Sequence, residues 1–228
     1  MRNPTQKRII QIAGIIDEDE AKMVLDAGAT HLGFPFRLDF NKEDLSEEYA
    51  AEIIKNLKIS DKAVLITYLD KRDEIIELAR FLVCQTVQLH GPISLDELEN
   101  LRKKAPKLHV WKSLVVKTDN VDELTDLVRS MENLVDAFIT DTFNPDTGAS
   151  GATGKTHDWC VSKKITELSK KPVIIAGGLN PDNVFDAIIQ IKTLGVDVHT
   201  GVENPDGKKD LIKVKAFIDE ANRGFRMI

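Results

Sequence analysis

Apolar runs rich in β-branched residues alternate with longer amphipathic stretches along all 228 residues, and no other feature constrains the fold as tightly. Eight runs read as strands: Arg8–Ala13, His31–Phe34, Ala63–Tyr68, Val87–Leu89, Leu108–Trp111, Ala137–Thr140, Val173–Ala176 and Val196–Val198. Eight helical patterns interleave with them: Asp19–Ala27, Ser46–Asn56, Asp73–Leu82, Ser94–Lys104, Asn120–Met131, Asp158–Leu168, Pro181–Ile191 and Lys209–Asn222. Several open on Ser, Asp or Asn, whose side chains accept the free N–H groups of a first turn. Pro181, after Asn180, fits the first helical position. Uninterrupted alternation predicts a parallel sheet. Eight units in this length predict a closed (β/α)8 TIM barrel, a single domain over residues 1–228. The rival is an open doubly wound sheet with a Gly-rich turn after its first strand. Ala13-Gly14-Ile15-Ile16 matches that turn poorly.

Lys and Arg number 31 against 37 Asp and Glu, a net charge of −6, with no basic cluster. Such a chain lacks the phosphate-neutralising footprint of a nucleic-acid binder. Hydrophobic residues, 42% of the chain, are too many for a disordered protein. No apolar run approaches the roughly 18–20 residues of a membrane span, and the N-terminal stretch reads as no signal peptide. Cys84 and Cys160 are too few for a disulfide framework and too far apart for a metal knuckle. Both read as inert packing residues in a reducing, cytoplasmic setting.

In a barrel of this kind the chemistry sits at the C-terminal strand ends and the loops after them. Gly177-Gly178 after the seventh strand and Thr200-Gly201 after the eighth form a candidate phosphate site, since glycine lets backbone N–H groups approach an anion. The alternative is that these glycines only make tight turns. Asp141, at an apolar strand end, is a candidate general acid, because a desolvated carboxyl can keep its proton near neutrality; otherwise it orders the loop. His90 is a candidate acid, base or hydrogen-bond donor, or a satisfied structural residue. Arg37 and Lys42 follow the second strand and could reach an anionic substrate group, or lie solvated. Residues 141–157 suit a mobile active-site loop. Gly154-Lys155-Thr156 is no nucleotide P-loop, since the first glycine of that motif would fall on Ala149; a lid carrying one cation is the better reading.

Together these residues resemble a known family. VQLHG at 87–91, DT at 141–142, GATGKTHDW at 151–159, AGGLNPDNV at 176–184 and GVDVHTGVE at 195–203 look like the ordered motifs of phosphoribosylanthranilate isomerase, the barrel enzyme of tryptophan biosynthesis. The likeness begins at IIQIAGI and AGATHLGFPF and reaches the C-terminal KKDLIKVKAFI. It implies an Amadori rearrangement of an aminoaldose phosphate to an aminoketose phosphate, without metal or organic cofactor. It also implies a small phosphorylated sugar as substrate, and a monomer or homodimer. Asp141 takes the place of the acid, Gly178, Thr200 and Gly201 that of the phosphate grip, and Arg37 that of the partner of the anthranilate carboxylate.

The departures cluster at one place. The family's base is a cysteine in Lys-Ile-Cys-Gly at the end of the first strand; here the segment reads Gln11-Ile12-Ala13-Gly14. The loop after the second strand lacks the usual Ser-x-Arg segment, and His199 stands where a small residue is usual. A positioned base contributes about 10²–10⁴-fold in rate, so its loss costs roughly 3–5 kcal/mol of barrier. Three readings follow. The chain works with a substitute base, His199 first and His90 second, because the eighth strand lies beside the first in a closed barrel. It acts on another phosphorylated sugar. Or it is a non-catalytic binder of phosphorylated ligands.

Overall fold

The structure is a computed structural model that describes residues 8–38, 43–117, 119–142 and 159–228. Its strands are β1 (Ile9–Ala13), β2 (His31–Phe36), β3 (Ala63–Thr67), β4 (Thr86–Leu89), β5 (His109–Val116), β6 (Ala137–Thr142), β7 (Val173–Ile175) and β8 (Gly195–Val198). The helices between and after them are α1 (Glu18–Asp26), α2 (Glu47–Leu57), α3 (Arg72–Phe81), α4 (Leu95–Lys104), α5 (Val121–Met131), α6 (Trp159–Leu168), α7 (Val184–Ile191) and α8 (Leu211–Phe225). Each strand pairs in parallel with the next, and β8 returns to β1 through Ile9↔Gly195 to Ile12↔Val198, closing the barrel. The sequence-based reading of a (β/α)8 barrel therefore holds. Among the described residues no helix is long and apolar enough to cross a membrane.

Strand alternation sorts the side chains into two layers. Ile10, Ile12, Phe34, Leu65, Phe138 and Val196 face outward into the main core beneath the helices. Fully burying each contributes roughly 1.5–3 kcal/mol. A smaller cluster, including Ala13, Val64, Trp111, Ile139 and Ile174, fills the barrel itself. Above it the interior turns polar. Gln11 Nε2 donates to Gln88 Oε1 at 3.1 Å, Gln88 Nε2 donates to Ser113 Oγ at 3.2 Å, and Ser113 Oγ is bonded to His90 Nδ1 at 3.0 Å.

Some local readings change. Strand β5 runs on to Val116, so Lys112 and Ser113 lie within it and on opposite faces. Lys112 is buried, and its Nζ donates to the carbonyls of Leu89, Gly91 and Ser113 at 3.2, 3.0 and 2.8 Å, fastening the turn after β4. Burial pulls this amine down to about 8. Ser46 and Ser94 cap as expected, but Asn120 does not. Its amide instead bridges Lys117 N and Val115 O. Helix α7 starts at Val184 and not at Pro181, because the intervening turn is held by asparagine side chains. Cys84 is buried, and burial pushes its thiol up to about 12, as an inert residue requires. Cys160 is exposed, so it is not a packing residue.

Candidate active site

The C-terminal mouth of the barrel holds a small cleft lined by Asp141, Gly177, Gly178, Leu179, Asp197, Val198, His199, Thr200 and Gly201. Six of the residues singled out from sequence meet there: Asp141, Gly177, Gly178, His199, Thr200 and Gly201.

The glycine side of the cleft is shaped by close approach. Gly177 and Gly178 adopt φ of 84° and 65°, a region that disfavours side chains. Asn183 fixes this turn twice, accepting from Asn180 N at 2.9 Å and donating to the Gly178 carbonyl at 3.0 Å. Thr200–Val202 form a short 3₁₀ turn after β8. The loops after β7 and β8 touch at Gly201, where a Cβ would run into the Leu179 carbonyl oxygen. Gly201→Ala is therefore expected to part the two loops. The KM for a phosphorylated substrate should rise at least tenfold, about 1.4 kcal/mol of binding, with kcat changed less in steady-state kinetics.

Two carboxyls face the cup. Asp141 is buried on β6, one alternation beyond the inward Ile139, and its Oδ1 accepts from Thr142 N at 2.7 Å. The strand is anchored behind by Ser162 Oγ of α6, which donates to Thr140 Oγ1 at 3.0 Å. Burial pushes the Asp141 carboxyl up to about 7, against the opposing pull of the Thr142 N–H and of His199. Asp197 of β8 was not singled out from sequence. It projects inward between Val196 and Val198, which face the helices. Burial foremost, then the neighbouring Asp141 charge, pushes it up to about 7; Gln11, His199 and Lys209 oppose this. The available signal was periodicity, since an acid alternating with outward valines in GVDV must point into the barrel.

His199 follows β8 and lies over the end of β1. A Cβ on Gly14 (φ 75°) would run into the imidazole ring, so the ring occupies the space above this glycine. Its Nε2 lies 3.3 Å from Glu203 Oε1, and the same oxygen accepts from Lys209 Nζ at 2.6 Å. Burial works against ionising Glu203, but these bonds hold its carboxyl below the usual range. The Lys209 backbone N–H donates to Glu20 Oε1 at 2.7 Å, and the Ile16 N–H donates to Glu20 Oε2 at 3.0 Å. Glu20 thereby ties the loop after β1 to the one that carries Lys209. Glu20, Glu203 and Lys209 were also missed: Glu203 and Lys209 meet through the turn after β8, and barrel closure brings Glu20 to them.

Two candidates lie elsewhere. His90 is buried beyond the polar chain, its ring tilted against Tyr68 with centroids 4.9 Å apart. Arg37, expected to meet a substrate carboxylate, is instead engaged by Glu47. Its Nε and Nη2 donate to Glu47 Oε1 and Oε2 at 2.9 and 3.4 Å, and its backbone N–H donates to Glu43 Oε1 at 2.8 Å. The physical reason is local: the first turn of α2 presents an acid within reach of a residue held at φ 53°. Lys42 and the 143–158 segment, read as a cation and a lid, lie outside the described residues.

A closed barrel whose last two turns meet in a glycine-lined cup, with protonatable groups facing it, defines the class of barrel proteins that hold a phosphorylated small molecule at their C-terminal face. Residues 10–220 match the family model for N-(5'-phosphoribosyl)anthranilate (PRA) isomerase. The chain belongs to that family. It is 34% identical over 217 residues to N-(5'-phosphoribosyl)anthranilate isomerase 2 of Methanosarcina mazei, covering 95% of each chain. It is also 34% identical over 215 residues to the Haloferax volcanii isomerase, covering 93% of this chain and 92% of that one. Among solved structures, the Thermotoga maritima phosphoribosylanthranilate isomerase superposes with a TM-score of 0.78 at 28% identity, over 95% of this chain and 99% of the other.

Proposed function

We propose that this protein is a phosphoribosylanthranilate isomerase of tryptophan biosynthesis in which His199 does the work of the family's cysteine. The observation that carries the second half is the seat of the imidazole ring above Gly14, at the end of the strand where Ala13 has lost the base. Asp141, which burial keeps partly protonated at neutral pH, donates to the furanose ring oxygen and opens the ring to a Schiff base. His199 then takes the C2 proton. Glu203 holds Nε2, which leaves Nδ1 as the accepting nitrogen. The resulting enolamine tautomerises to the aminoketose phosphate. The phosphate rests on the loop N–H groups of Gly178, Thr200 and Gly201. An extended substrate held there crosses towards β3 and β4, so His90 and Tyr68 are assigned to its aryl end. Arg37 is assigned no contact while Glu47 holds it.

The direct test is an isomerase assay on freshly generated phosphoribosylanthranilate, beside growth rescue of a tryptophan auxotroph lacking this step. Turnover and rescue are the expected results. No turnover at high enzyme concentration, with a phosphorylated ligand still raising the unfolding temperature, would favour a different phosphorylated sugar. Gly14→Ala probes the base separately. The added methyl displaces the His199 ring, so kcat should fall about tenfold or more while KM, set largely by the phosphate loops, changes little.

A further inference from the structure

We propose that Asp197 and Asp141 form a carboxyl pair that holds one proton between them at neutral pH, with Asp197 the positioning residue that makes Asp141 harder to ionise. This rests on Asp141 being the acid, and it adds a second residue to that role.

Both side chains line the same cleft and both are buried. Like charges confined together do not both ionise readily, so a neighbouring carboxylate favours the protonated form of its partner. The surroundings decide where the charge resides. Gln11, the register partner of Asp197 across the β1–β8 seam, favours the charged form of its carboxyl but is itself uncharged. His199 at the end of β8 and Lys209 from the segment before α8 draw negative charge towards Asp197, although Lys209 is already engaged by Glu203. From β7 and the residue after it the inward side chains are Ile174 and Ala176, which carry no charge. Asp141 has only the Thr142 N–H and His199 on its side. Asp197 also keeps one buried oxygen, Oδ1, with no donor among the described residues. A buried acceptor of this kind is costly unless it meets a proton, and a protonated neighbour in the same cleft can supply one. The sequence permits this because residue 11 is glutamine. A lysine there, as in the family motif, would place a cation beside Asp197 and cancel its field at Asp141.

The test is carbon-13 NMR titration of labelled aspartate carboxyls in the unliganded protein, alongside pH profiles of kcat/KM. In wild type the two groups should titrate in coupled steps, at least one near neutrality; independent titration near the ordinary carboxylate range would overturn the pair. Asp197→Asn should lower the Asp141 midpoint by about one pH unit or more and move the alkaline limb of the pH profile equally. Gln11→Lys should move both in the same direction while leaving Asp197 in place, which a merely structural role for Asp197 would not do. An unmoved Asp141 midpoint in either variant that retains its fold would overturn the assignment. The NMR arm needs no turnover, so it stands apart from failure of the isomerase assay.

Discussion

Truncating His199 to alanine is expected to lower kcat by about 10²–10⁴-fold, which is what a positioned general base contributes and corresponds to roughly 3–5 kcal/mol of barrier. KM should change far less, because the phosphate loops stay bridged through Gly201 and Leu179. Loss of the ring also opens the space above Gly14, beside the buried methyl of Ala13. A thiol introduced by Ala13→Cys then has room to reach the same C2 proton. The double variant His199→Ala with Ala13→Cys should therefore recover much of the lost rate. Rescue of this kind separates a base from a structural histidine, since a cysteine on β1 cannot replace packing contributed by β8. Unchanged kcat in His199→Ala would remove the imidazole from the mechanism.

Asp141→Asn carries the second large effect, and it moves activity and stability in opposite directions. The amide cannot deliver a proton to the ring oxygen, so kcat should fall by about 10²–10⁴-fold. Stability should rise at neutral and alkaline pH. The folded carboxyl is pushed up to about 7 from an ordinary value of 3.8. Between those limits the folded protein keeps a proton that the unfolded chain has released. Its contribution to stability is therefore complete below about pH 4, declines as pH rises, and is gone above about pH 7. Asparagine cannot ionise and escapes that decline. The variant should melt several degrees above wild type at pH 8, at about 2–4 °C per kcal/mol for a chain of this size, and the gap should close towards pH 4. Calorimetry across that range reads both the size and the sign. A gap that widened towards acid would mean that the Asp141 carboxyl is held ionised by the fold.

The contrast between these residues explains how far the sequence could be read. Asp141 and the glycines after β7 and β8 were legible because their chemistry is local. An acid at the end of an apolar run and a glycine pair after another can be placed from strand periodicity alone. Asp197 obeyed the same rule and was overlooked because it lies within a strand and not after one. The surroundings of Arg37 were hidden for a different reason. Its partner, Glu47, is ten positions further on, and only the turn into α2 brings the two together.

The sequence by itself determined the order of eight strands and eight helices, the closed barrel, the face on which chemistry sits and the missing cysteine at Ala13. The elements, the barrel and its working face follow from side-chain periodicity and from composition within short segments, which each stretch of chain carries independently; the missing cysteine follows from the resemblance of Gln11-Ile12-Ala13-Gly14 to the family motif. Only the tertiary structure brings the His199 ring over the end of the first strand. Residues 14 and 199 come together through the β1–β8 seam, and Lys209 joins Glu20 to Glu203 across nearly the whole length of the chain. A contact closed by the last strand meeting the first has no local signature, because it depends on the accumulated tilt and register of every strand between them.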